Sequence, residues 1–218
     1  QFMYSDVENT DGFGAFLDAH VTINSRWQNS LSLDYVDDKL DITDFGFIRR
    51  NDVIRARYGV QRKVAKGLDY FRRVSNSIVA TAQANTDGLV SDVYLFNNHS
   101  FTFPNRSRLY LNVQFHSGGW DDRNSRGNGT FKTDQRWGAR FSYGTDSAKK
   151  FSWSSGIGTE QEELNGSWSV SSDIGFTYRP NDRFSINFDL RLKKRNGWLL
   201  HTTEADFATF DADNLQPK

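Results

Sequence analysis

The chain has 218 residues with 27 Lys plus Arg against 27 Asp plus Glu, so its formal net charge is zero and no global field draws it to nucleic acid or to an anionic surface. It contains no cysteine, which excludes a disulfide framework and a thiolate zinc site. Only 37% of residues are hydrophobic, mean hydropathy is −0.68, and no run approaches the roughly 18 to 20 apolar residues of a membrane helix, while aromatic content reaches 15%.

Alternation with period two begins early and recurs along the chain. In "GFGAFLDAHVTI", Phe13, Ala15, Leu17, Ala19, Val21 and Ile23 share a face opposite Asp18, His20 and Thr22. "NSLSLDYV" sets Leu31, Leu33 and Tyr35 against Ser30, Ser32 and Asp34, and "VIRARYGVQ" sets Ile54, Ala56, Tyr58 and Val60 against Arg55 and Arg57. "RRVSNSIVATAQAN" alternates less cleanly, and "LVSDVYLFNNHSFTF" carries apolar residues on both sides. "RSRLYLNVQFHS" is nearly perfect: Leu109, Leu111, Val113 and Phe115 oppose Arg108, Tyr110, Asn112, Gln114 and His116.

The pattern continues through "QRWGARFSYG" and the short, glycine-rich "KFSWSSGIG". "SWSVSSDIGFTYRP" and "RFSINFDLRLKKR" are the cleanest strands, the second placing Ile186, Phe188 and Leu190 opposite Asp189 and Arg191. A poorly patterned eleventh candidate covers about residues 198–210. No segment shows sustained helical periodicity, so the spacing predicts an all-β, antiparallel protein. Thr86-Asp87-Gly88 and Arg179-Pro180-Asn181-Asp182 read as hairpin turns.

Alternation alone leaves two architectures open: a soluble sandwich with its greasy faces inside, or a membrane barrel with its greasy faces in lipid. Three cues favour an antiparallel transmembrane β-barrel of about 10 to 12 strands, complete or part of a larger barrel. The strands run to about ten residues, longer than the five or six typical of globular proteins. Trp27, Trp137, Trp168 and Tyr178 stand towards strand ends, where a membrane-interface girdle holds aromatics. The wet faces carry opposite charges such as Arg183, Asp189 and Arg191, able to link neighbouring strands inside a lumen. Short connections near residues 24–28, 62–69, 104, 144–149 and 180–182 alternate with mostly longer ones, including 37–51 and 117–130, although the Asp87-Gly88 turn breaks the rule. The chain reads as one barrel domain or fragment over residues 1–218. Arg55, Arg57, Arg108, Asn112, His116, Arg140, Asp189 and Arg191 are the expected lumen lining. Leu109, Leu111, Val113, Phe115, Ile186, Phe188 and Leu190 are the expected lipid contacts.

"DFGFIRRND", "GGWDDRNSRGNG" and "QRWGARFSYGTDSAKKFSWSSGIG" resemble the barrel region of a family of Gram-negative envelope proteins. In that family a β-sandwich like a family-9 carbohydrate-binding module precedes a large barrel domain of unknown function. The similarity rests on a Gly-Phe-x-Arg-Arg-x-Asp turn, an Asp-Asp-Arg-x-x-Arg-Gly loop and a Thr-Asp-Ser-x-Lys-Lys turn, and "FATFDADNLQPK" also matches. It implies the outer membrane, lipid as a partner, a link to saccharides or other small solutes, and contact with other envelope proteins. The chain departs from the family in lacking both the carbohydrate-binding module and a terminal strand ending in an aromatic residue. It opens at Gln1 with no signal-peptide features, and these departures are expected of a processed chain or a fragment cut from a longer barrel.

Little points to chemistry. His20 and His116 lie on wet faces, His99 and His201 lie near strand ends, and neither a Gly-x-Ser-x-Gly elbow nor a His-Glu-x-x-His pair occurs. No catalytic residue, metal ligand or cofactor is assigned. Asp121, Asp122 and Asn124 offer oxygens to calcium without EF-hand spacing, and the plainer reading is a turn whose acids pair with Arg123 and Arg126. The arginine ladder (Arg55, Arg57, Arg106, Arg108, Arg136, Arg140, Arg183, Arg191) either lines a pore for anionic solutes or pairs with lumen acids, and zero net charge favours pairing. The leading reading is a non-enzymatic outer-membrane pore or surface platform linked to saccharides. A soluble carbohydrate-binding β-sandwich is the alternative, and a barrel-embedded hydrolase comes third.

Overall fold

The computed structural model describes residues 1–7, 10–40, 51–66, 68–121, 130–161 and 166–196. Within them the chain is all-β. Strands β1 (Phe2–Val7), β2 (Thr10–Thr22), β3 (Trp27–Val36), β4 (Val53–Val64), β5 (Arg73–Ala84), β6 (Val90–Thr102) and β7 (Arg108–His116) follow one another. A small hairpin of β8 (Gly119–Asp121) and β9 (Phe131–Thr133) intervenes before β10 (Arg136–Gly144), β11 (Phe151–Gln161), β12 (Trp168–Asn181) and β13 (Phe184–Asn196).

Eleven strands form one sheet in the order β1-β2-β3-β4-β5-β6-β7-β10-β11-β12-β13, every neighbour antiparallel. This is an up-and-down meander, the arrangement that period-two strands joined by local turns produce. Among the described residues the sheet is open, with β1 and β13 as its two edges. Ten of the expected strands are present. The eleventh candidate, at 198–210, lies outside the described residues. Two elements were not foreseen: β1, too short for a convincing alternation, and the β8–β9 hairpin inside a Gly- and Asp-rich stretch that reads as loop.

Antiparallel connections place every second turn at the same end of the sheet. One end carries the connections 23–26, 65–72, 103–107, 145–150 and 182–183. The other end carries the 37–52 loop and the 117–135 connection with its hairpin, alongside tighter turns such as 85–89. The two ends are called here the turn end and the loop end.

Almost nothing is buried in the ordinary sense. Among the described residues the buried hydrophobics are Val36, Leu40, Val53, Val64 and Phe131, far too few for a globular core. By contrast Leu17 is 53% exposed, Phe115 45% and Phe188 50%. Leaving such a side chain in water forgoes about 1.5–3 kcal/mol each, and a soluble monomer does not repeat that along a whole sheet face. The small apolar cluster of Val36, Leu40 and Val53, with Met3 and Phe16 against it, sits at the loop end. There the chain after β3 turns back over the sheet so closely that a Cβ on Gly12 would lie 2.4 Å from the Leu40 Cα.

Candidate functional site

The register sorts the side chains into two faces. Cross-strand partners point the same way, so following pairs from strand to strand fixes each residue's face. On one face lie Leu17, Leu33, Ala56, Ala82, Val93, Phe115, Trp137, Ile157, Ile174 and Leu190, with their alternates along each strand. The expected lipid contacts Leu109, Leu111, Val113 and Phe115 on β7, and Ile186, Phe188 and Leu190 on β13, all fall on this apolar face. Phe176 stacks on its cross-strand partner Phe188 at 5.6 Å between centroids.

Trp27, Trp137, Trp168 and Tyr178 are on the same face, each within four residues of a strand end. Arg62 extends over the Trp27 ring at 5.8 Å and Lys194 over Trp168 at 5.9 Å, putting cations at both ends of the apolar band.

The opposite face is polar and forms the candidate site. Arg55, Arg57, Arg108, Asn112, His116, Arg140, Asp189 and Arg191 all fall on it. Arg55 donates from Nε to Asp34 Oδ2 at 2.7 Å across the β3–β4 pair. Asn112 donates from Nδ2 to Asn98 Oδ1 at 2.7 Å, and the same oxygen accepts the Tyr110 hydroxyl at 2.6 Å. Gln114 reaches over β10 to Glu160 at 3.1 Å. Arg140 pairs with Asp173 over β11, where Gly156 leaves the crossing open.

His116 belongs to a polar cluster with Asp92 and Arg136. Its Nδ1 lies 2.6 Å from Asp92 Oδ2, Arg136 Nη2 stands 3.6 Å from the same oxygen, and the Tyr94 and Phe96 rings flank the imidazole with centroids at 5.3 and 5.8 Å. Those two rings on the polar face explain why β6 reads as apolar on both sides. Asp92 Oδ1 is buried with no hydrogen-bond partner. His116, Asp92 and Arg136 thus form a charged cluster set against two aromatic rings.

The remaining candidates are dispersed. His20 lies on the polar face opposite Ser30, while His99 lies on the apolar face bonded to Asn76 at 2.9 Å. His201, Asp122 and Asn124 lie outside the described residues, so the calcium candidate is represented by Asp121 alone. At the base of the 37–52 loop the Lys39 amide donates to Asp37 at 2.8 Å and holds that carboxyl below its usual range. Asp38 is pushed up by its hydrogen bond to Asp37.

Sequence reasoning did not anticipate the turn-end cavity of about 600 Å³ bordered by Arg72, Arg73, Arg106 and Arg108. A concentration of basic residues in successive short turns was the available signal.

Comparison with known proteins agrees with the sheet. The structure aligns with the crystal structure of Acinetobacter baumannii OccAB2 at a TM-score of 0.55 and 12% identity, over 93% of this chain and 55% of that one. The chain therefore spans about half the length of that protein, and the likeness concerns the fold. No curated protein matches the chain. A family profile described as a domain of unknown function, DUF5916, matches residues 1–214, nearly the whole length. The chain belongs to the DUF5916 family.

Proposed function

We propose that this chain is the wall of an outer-membrane β-barrel whose polar face lines an aqueous passage for small solutes. The observation that carries the reading is the inverted sheet: its apolar face is the uncovered one, while its polar face holds the ion pairs and amide networks. Lipid is the solvent in which that inversion is stable, because hydrocarbon replaces the missing core and every interior strand satisfies its backbone through neighbours. The fold shared with OccAB2, a porin-like outer-membrane protein, supports the same location. On this reading the seven apolar residues of β7 and β13 named above contact lipid, the eight polar residues line the lumen, and further strands complete the wall.

A soluble carbohydrate-binding sandwich needs a second sheet over the apolar face. The other described sheet has two strands of three residues each and cannot supply it. The link to saccharides, as pore or as surface platform, rests on the family resemblance, with neighbouring envelope proteins as partners.

Extraction and conductance test the reading. The chain is expected to require detergent for solubility, to fractionate with outer membranes, and to give stepwise currents in planar bilayers. A folded, monodisperse chain in detergent-free buffer would overturn it.

A further inference from the structure

Three successive connections at the turn end converge on one cavity. The β4–β5 connection ends at Arg72, the β6–β7 turn carries Arg106, and the β10–β11 turn brings Thr145, Asp146 and Ser147. Between them the register aligns one row across four strands: Arg73 on β5, Thr102 on β6, Arg108 on β7 and Gly144 on β10. All four residues of the row border the cavity. Two arginines thus stand two strands apart, about 10 Å at ordinary strand spacing, with small residues beside them.

Charge there is unbalanced. Among the described residues four guanidiniums border the cavity against one carboxylate, Asp146, whose Oδ2 is 3.9 Å from Arg106 Nη1. Asp146 also closes its own turn, accepting from the Ala148 amide at 3.0 Å, and Arg179 holds that turn by donating to the Ser147 carbonyl at 2.8 Å. Arg106 has a φ of 66°, a left-handed conformation that a non-glycine residue adopts at a cost, fixed by its amide donating to the Phe103 carbonyl at 2.9 Å. Elsewhere on the polar face Arg55, Arg136 and Arg140 each face an aspartate. Here, among the described residues, no aspartate or glutamate forms an ion pair with Arg72, Arg73 or Arg108. The Thr-Asp-Ser-x-Lys-Lys turn of the sequence forms one side of this cavity.

We propose that this turn-end cavity binds a soluble phosphate group, free or on a small solute, held by the guanidinium forks of Arg73 and Arg108 with Arg72 and Arg106 closing around it. Guanidinium matches the geometry of a phosphate oxygen pair, and a doubly charged anion neutralises most of the excess that the row creates. The position of the cavity as a lumen mouth rests on the barrel reading; binding itself does not.

The test uses the full chain folded in detergent, titrated calorimetrically with inorganic phosphate against chloride at matched ionic strength. One saturable site is expected, with affinity falling about tenfold or more in Arg73→Gln/Arg108→Gln, the scale of a lost charge-assisted pair. Arg183→Gln, on the β12–β13 turn, makes a single charge change away from the cavity and is expected to leave binding unchanged. If the double variant fails to fold, Arg106→Gln is measured instead, its side chain being 60% exposed. Phosphate binding no tighter than chloride, equal binding by the parent and cavity variants, or equal loss in Arg183→Gln would each overturn the proposal. Absence of bilayer current would count against the barrel reading alone.

Discussion

Arg140 on β10 and Asp173 on β12 form an ion pair although β11 runs between them, and Gly156 of β11 marks the crossing. A Cβ there would lie 2.8 Å from both Arg140 Nη2 and Asp173 Oδ1. The polar face is therefore linked between second neighbours as well as adjacent strands. Gly156→Leu is expected to push both charged groups off their contact and destabilise the fold by about 1–3 kcal/mol in denaturant unfolding. In that background Arg140→Gln should cost little more, because the coupling is already lost.

Leu111 and Asn112 are consecutive and face opposite ways. On the barrel reading, Leu111→Arg impairs membrane folding by about 2–4 kcal/mol for a site near the bilayer midplane, whereas Asn112→Arg is tolerated because its side chain enters water. Refolding yield into lipid vesicles distinguishes the two, and equal tolerance would refute the facing.

Asp92 holds two cationic or hydrogen-bonding partners, His116 and Arg136, at the loop end of β6. Replacing it with Ala leaves both without that carboxylate in a partly buried place, an expected loss of about 1–3 kcal/mol. Asp92→Asn, which keeps an acceptor, is expected to lose less. Thermal unfolding in detergent ranks the pair.

Asp52 ends the Gly-Phe-x-Arg-Arg-x-Asp stretch and clasps the β5–β6 turn, its Oδ1 accepting from the Thr86 amide at 2.8 Å and the Thr86 hydroxyl at 2.6 Å. Its φ of 54° suits Asp or Asn better than most residues. Asp52→Ala should cost about 1.5–3 kcal/mol and speed hydrogen exchange at the Thr86 amide, with Asp52→Asn close to the parent. Unchanged exchange in Asp52→Ala would show that the turn holds without the clasp.

The strands and their faces were legible because both follow from period two, a property of neighbours in sequence. Leu109 to Phe115 announce a face without any knowledge of what pairs with them. Contacts across strands were not legible, because register is set by turn lengths and by how the whole sheet stacks. Nothing in the sequence joins Arg140 to Asp173, or aligns Arg73 with Arg108 through Thr102. β6 blurred the signal because Tyr94 and Phe96 turn aromatic rings to the polar side to flank His116. The Asp-Asp-Arg-x-x-Arg-Gly motif and the last candidate strand lie mostly or wholly outside the described residues.

Among the described residues the outermost strand, Phe184–Asn196, has one bonded neighbour, β12, and its residues are exposed throughout. In hydrocarbon each unanswered amide or carbonyl costs several kcal/mol, so such a margin cannot enter a bilayer bare. On the barrel reading, insertion and lateral pairing of that margin are then one concerted event, with the margin shielded until its complement arrives. On that reading, whatever delivers the polypeptide to the bilayer has to keep this raw hem from other chains and then bring it to its proper mate.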